Sequence, residues 1–129
     1  GCGRGVVPLT AALAFASPSV GVDIVPDYIK RGRRAVNLLG LKTKVSFQVA
    51  DFSHDKLPVA NIYFLTAVCL DPKTWLALQK NLSKQAPLGS KVISVSRKLN
   101  DSAWELCHQS SYPFTWDEAT VYIYRKVAG

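Results

Sequence analysis

Short β-branched runs alternate with segments of helical periodicity along nearly the whole chain. No other feature of the sequence constrains the fold as much. The strand-type runs are Ser19 to Ile24, Val45 to Val49, Asn61 to Val68 and Lys91 to Ser96, with Val92, Ile93 and Val95 expected in the core. The run Ile62 to Leu65 is the most apolar and suits a strand buried on both faces. Between the runs lie helical patterns. An apolar, Ala-rich segment extends from Val6 to about Phe15. Pro26 fits a first helical turn, where its missing N–H costs nothing. From Asp27 to Leu39, Tyr28, Ile29, Ala35, Val36 and Leu39 fall on one face, and Lys30, Arg31, Arg33 and Arg34 lie mostly off it. Gly40 is placed to cap that helix. Asp71 and Pro72 form an N-cap and first-turn pair before a helix that buries Trp75, Leu78 and Leu82. Pro87 to Ser90 is a turn. Trp104 to Gln109 and Ala119 to Arg125 read as a closing strand pair, with Val121 and Ile123 alternating with Tyr122 and Tyr124. This order predicts an α/β fold, a doubly wound and mostly parallel sheet with an antiparallel C-terminal pair. A length of 129 residues suits a single domain over 1–129.

Composition narrows the partners. Sixteen Lys and Arg against nine Asp and Glu give a formal charge of +7. That excess favours an acidic partner such as RNA, DNA or an acidic protein surface. The alternative is a chain whose acidic parts lie elsewhere in a longer protein. Cys2, Cys69 and Cys107 are far apart, and neither His54 nor His108 has a zinc-like spacing, so no metal is expected and a reducing, intracellular compartment (cytoplasmic or nuclear) is. The longest apolar run, Val6 to Ala16, is too short to span a bilayer and is broken by Pro8 and Thr10, so no membrane association is expected. Oligomeric state is not legible. The chain lacks methionine and opens on a glycine turn, which points to a piece of a longer protein.

Doubly wound sheets bind ligands at the carboxyl ends of their strands, and three signals fall there. Gly1-Cys2-Gly3-Arg4-Gly5 is a turn before a helix, where backbone N–H groups can approach a ligand with no Cβ in the way. Asp23 ends the next strand, about twenty residues on, where a carboxylate can accept from both hydroxyls of a ribose. The same Asp23 could instead cap the helix that starts near Pro26. Asp51 and Phe52 follow the third run, where a carboxylate can accept from an adenine amino group and an aromatic ring can cover the base. A dinucleotide fingerprint requires a glycine where this chain has Val6. The G-x-G-x-G spacing and the carboxylate after the third strand favour S-adenosylmethionine.

The order GCGRG, VGVDI, VADF resembles class I S-adenosylmethionine-dependent methyltransferases. ANIYFLTAVCLDPKTW, LGSKVISVSRKL and YPFTWDEATVYIYRK further resemble the histone-lysine methyltransferases named for disruption of telomeric silencing. That resemblance implies cofactor contacts from Gly1, Cys2, Gly3, Gly5, Asp23, Ile24, Ala50, Asp51, Phe52 and Thr66. Ala50-Asp51-Phe52 would lie against adenine. Thr115-Trp116 and Thr120-Val121-Tyr122 match the closing strand pair. The family usually has an Asn lining the transfer site where this chain has Thr66, so Thr66 is the catalytic candidate. The resemblance also implies a first strand, ending just before the glycine turn and central in the sheet, that is missing here. The expected function is methyl transfer to a protein lysine. The alternatives are transfer to RNA or a small molecule, and a truncated domain that binds without catalysis. Cys2, Trp75 and Trp116 are expected to pack rather than to react or to cage a substrate. His54 and Asp55 are expected to be solvated loop residues.

Overall fold

The computed structural model describes all residues, Gly1–Gly129, and its contacts divide them into two compact units, Gly1–Phe52 and Ser53–Gly129.

The first unit contains α1 (Val6–Phe15), β1 (Ser19–Asp23), α2 (Pro26–Leu38) and β2 (Val45–Val49). β1 and β2 pair in parallel, from Ser19 opposite Val45 to Asp23 opposite Val49. The α2 crossover between them makes a parallel pairing possible. Ala12, Ile29, Val36, Val45 and Phe47 form the core, with Cys2, Leu9 and Leu41 packed against it. Three glycines shape that core. A Cβ added at Gly5, Gly21 or Gly32 would come within 2.4, 2.6 or 2.8 Å of the Phe47 ring. The ring therefore occupies space that exists only because these residues have no side chain. This also corrects the expected face of α2. Ile29, Gly32 and Val36 are buried, whereas Tyr28 and Leu39 are exposed. Phe47 approaches at Gly32 and centres the contact on the 29–32–36 stripe. Tyr28 lies about 100° round the helix from Ile29, and Leu39 is already the C-cap.

The second unit contains β3 (Ile62–Leu65), α3 (Pro72–Gln85), β4 (Lys91–Val95), β5 (Trp104–Pro113) and β6 (Glu118–Lys126). Its sheet runs β3-β4-β6-β5. β3 and β4 are parallel, joined through α3. β6 is antiparallel to both β4 and β5, with a register shift between Leu106 and His108. Asp71 caps α3 as its sequence position predicts, accepting from the Thr74 N–H at 2.9 Å and the Thr74 hydroxyl at 2.6 Å. Trp75, Leu78 and Leu82 are buried.

Two expectations for this unit are corrected. β3 is not buried on both faces, since Ile62 and Phe64 are exposed and Tyr63 and Leu65 half-buried. It pairs only with β4 and so lies at the sheet edge. In β4 the fully buried partner of Val92 and Val95 is Ser94, while Ile93 is half-buried. The Ser94 hydroxyl is satisfied by the Arg97 carbonyl at 2.6 Å. In β6 the buried residues are Ala119, Tyr124 and Lys126. Tyr124 accepts from the Leu99 N–H through its hydroxyl oxygen, at 3.1 Å. The Lys126 ammonium donates to the carbonyls of Ser83 and Ala86, each at 2.5 Å. A cation there satisfies the free carbonyls at the α3 C-terminus and opposes its dipole.

Candidate functional site

The glycine turn is sewn onto the carboxyl end of β1. Both the Gly1 amino group and the Cys2 N–H donate to the Val22 carbonyl, at 2.7 and 2.9 Å. The Gly5 N–H closes the turn on the Cys2 carbonyl at 3.0 Å. Gly3 and Gly5 both lie in the left-handed region, with φ of 54° and 89°. Their surroundings differ. A Cβ at Gly3 would meet nothing, so this glycine borders open space, whereas Gly5 is buried against Phe47. The turn therefore uses one glycine to keep a backbone surface open and another to admit a core ring.

Asp23 organises the junction. It is buried, at 7 % exposure. One carboxylate oxygen accepts from the Gly3 N–H at 2.9 Å and the other from the Val25 N–H at 3.0 Å. The carboxylate holds the start of α2 through Val25, its N-cap, and also holds the glycine turn. Each oxygen keeps a further lone pair for a ligand hydroxyl. Backbone ties bring in the third segment, since the Ala50 N–H donates to the Asp23 carbonyl at 3.0 Å. Asp51 and Phe52 follow, half-buried, and a Cβ at Gly1 would lie 3.7 Å from the Phe52 ring. Ile24, after Asp23, is exposed.

Nine of the ten sequence-selected residues thus belong to the first unit, spread over three segments that bond to or touch one another. The tenth, Thr66, follows β3 in the second unit and is exposed. Burial shapes the electrostatics of the turn. Burial pushes the Cys2 thiol above its ordinary range, which favours the neutral form. Cys2 packs beside Gly21, as a small residue should. Trp75 is buried, but Trp116 is not: it is 57 % exposed and stacks on Phe114 at the β5–β6 turn, with ring centroids 4.7 Å apart. Sequence reasoning missed Phe47 and the backbone groups of Val22 and Val25. Gly21 inside a strand pattern and Gly32 inside a helical one were the available signals, because isolated glycines there mark close approach.

An open glycine backbone, a buried carboxylate and an aromatic edge, gathered at the carboxyl ends of the parallel strands β1 and β2, suit an adenosine. Solved structures share this architecture. The fold is that of S-adenosylmethionine-dependent methyltransferases. An RNA methyltransferase from Salinibacter ruber, solved with S-adenosyl-L-homocysteine, superposes with a TM-score of 0.79 at 23% identity, over 100% of this chain and 78% of that one. A SAM-dependent methyltransferase from Methanosarcina mazei gives 0.81 at 15% identity, over 100% and 91%. A geranyl diphosphate C-methyltransferase from Streptomyces coelicolor A3(2), solved with Mg2+, geranyl diphosphate and S-adenosyl-L-homocysteine, gives 0.79 at 12% identity, over 98% and 72%. No protein-family model matches the sequence, and no curated protein does. The methyltransferase fold accounts for the α/β order and for the antiparallel closing pair that the sequence predicted.

Proposed function

We propose that the chain is an S-adenosylmethionine-dependent methyltransferase domain whose first unit holds the cofactor. The observation that carries this reading is the three-way junction of Gly1–Gly5, Asp23 and Ala50–Phe52 within a methyltransferase fold. Gly1, Cys2, Gly3 and Gly5 form the turn that would lie against the cofactor. In this reading Asp23 would hold the ribose and Asp51 the adenine amino group. Ile24, Ala50 and Phe52 would cover the ring. When bound, S-adenosylmethionine supplies a methyl group already activated by its sulfonium. The chain's own work is then alignment of the acceptor rather than covalent catalysis. The family resemblance is what assigns Thr66 to the acceptor.

The acceptor we infer is a protein lysine, supported by the likeness of Thr115-Trp116 and Thr120-Val121-Tyr122 to the histone-lysine family. Transfer to RNA is favoured instead by the Salinibacter ruber relative and by the +7 charge. Calorimetry with S-adenosylhomocysteine tests the cofactor, and saturable heat is expected. Its absence would refute the assignment. Transfer from radiolabelled S-adenosylmethionine then separates the acceptors, with methyllysine in a protein hydrolysate expected and labelled RNA supporting the second reading.

Asp23→Asn should weaken S-adenosylhomocysteine roughly 10–100-fold, the equivalent of about 1.5–3 kcal/mol for hydrogen bonds to a charged group. The amide has a single acceptor oxygen, so either Gly3 or Val25 also loses its partner. Unchanged affinity would remove Asp23 from the site.

A further inference from the structure

The candidate site leaves the cationic side of the first unit unused. Lys30, Arg31, Arg33 and Arg34 stand within five positions of α2, all exposed, and the connection to β2 adds exposed Lys42 and Lys44. Across Gly1–Phe52, seven Lys and Arg stand against three Asp. Asp27, the acidic residue of α2, is paired with Arg31 at 3.1 Å, so the other cations of the helix are not neutralised by it. An open cleft of ≈ 260 Å3 lies between α2 and the amino half of β2. Its polar lining is Arg33, Asn37, Lys42 and Ser46, and no carboxylate lines it. Arg33 is held there by a 2.9 Å bond from its Nη2 to the Phe47 carbonyl. That bond uses one of five guanidinium N–H donors and orients the rest. The cleft abuts Val45 to Phe47, whereas the glycine junction abuts Ala50, beyond the opposite end of β2.

We propose that this cleft and the adjoining Lys30–Arg34 face bind the phosphodiester backbone of a nucleic acid. Arg, Lys, Ser and Asn side chains are those that contact phosphate and sugar in such complexes. A planar guanidinium matches phosphate geometry with two donors. Lys30 and Arg34 are one helical turn apart, about 6 Å along the axis, which lets neighbouring phosphates of one strand be met in succession. The surface works without methyl transfer, so the proposal stands apart from the cofactor assignment.

The test is fluorescence anisotropy of the full chain with labelled single-stranded RNA, DNA of the same sequence and a polyglutamate peptide, each titrated over a range of salt and without cofactor. Binding to nucleic acid is expected, steeply weakened by salt. Arg34→Gln and Lys42→Gln should each weaken it several-fold and lower the log–log salt slope by about 0.7, the value for one phosphate contact on a single strand. Lys80→Gln, on α3 in the second unit, should change neither. A preference for RNA or for DNA would identify the source of the backbone. The proposal is overturned if nothing binds, if polyglutamate binds as tightly at equal salt, or if the Arg34 and Lys42 variants behave like Lys80→Gln. Arg33 is left intact because it also bonds to β2, and circular dichroism verifies that each variant is folded.

Discussion

In Gly1–Phe52 a two-stranded ladder closes round the Phe47 ring, which lies where Gly5, Gly21 and Gly32 leave room. In Ser53–Gly129 a four-stranded sheet surrounds buried Ser94, Gln79 and Lys126, each with a hydrogen-bond partner. The first region depends on shape, because a two-stranded sheet has little else to hold it. The second buries a larger apolar set, among it Trp75, Leu78, Leu82, Val92, Val95 and Trp104, and pairs the polar side chains named above within it. The candidate site is built on the first kind. The contacts that place Gly3 and Asp23 are therefore tied to one aromatic residue and to three positions where a Cβ would press on its ring.

The contrast can be broken by experiment. The largest effect is expected from Phe47→Ala, about 3–5 kcal/mol for an emptied aromatic site. Hydrogen exchange should report it as lost protection mainly within Gly1–Phe52, and an equal loss across Ser53–Gly129 would deny the two regions separate cores. Lys126→Met comes next. It leaves the Ser83 and Ala86 carbonyls without their shared donor, at a cost of about 1–3 kcal/mol, and frays the end of α3 with little change in the first region. Gly32→Ala should cost less. The clash with Phe47 opposes the gain in helix propensity, which is at most about 1 kcal/mol. Its sharper form is the double variant with Phe47→Leu, in which the alanine should become harmless. If the alanine is equally costly beside leucine, the glycine niche is not what Gly32 provides.

The smallest effect is one of pH. Bonds from the Thr74 hydroxyl and N–H hold the Asp71 carboxyl below the usual carboxylate range. A depressed folded value means that the cap's contribution is present above the unfolded value and fades as pH falls through the folded one. Amides of the first α3 turn should therefore begin to exchange faster in acid, and Asp71→Asn should remove that dependence. An unaltered profile in the variant would assign it to another group.

Much of this was legible in the sequence where the signal is local. Val45–Val49 carries its strand in its own residues, and Asp71-Pro72 carries its cap. Depth within a sheet is not local. The run Ile62–Leu65 has the composition of a central strand, yet it pairs on one side only. Lys126 is buried because α3 presents carbonyls to it, which no pattern within β6 could reveal. At the site, the residue types in the glycine turn and at Asp23 and Asp51 could be read from spacing. That Asp23 spends both oxygens on backbone N–H groups could not, because both donors are set by how the turn folds back on β1. Trp116 was misassigned for a related reason. Its size suggested core, but a hairpin tip leaves it exposed.

The account rests on Gly1–Gly5, Asp23–Ile24 and Ala50–Phe52 acting as one surface for an adenosine. Hydrogen exchange of the full chain with and without saturating S-adenosylhomocysteine tests this most directly. Slower exchange is expected in all three segments together, with the Gly3 and Val25 amides among the most affected. No change in any of them, or protection confined to Ser53–Gly129, would contradict it.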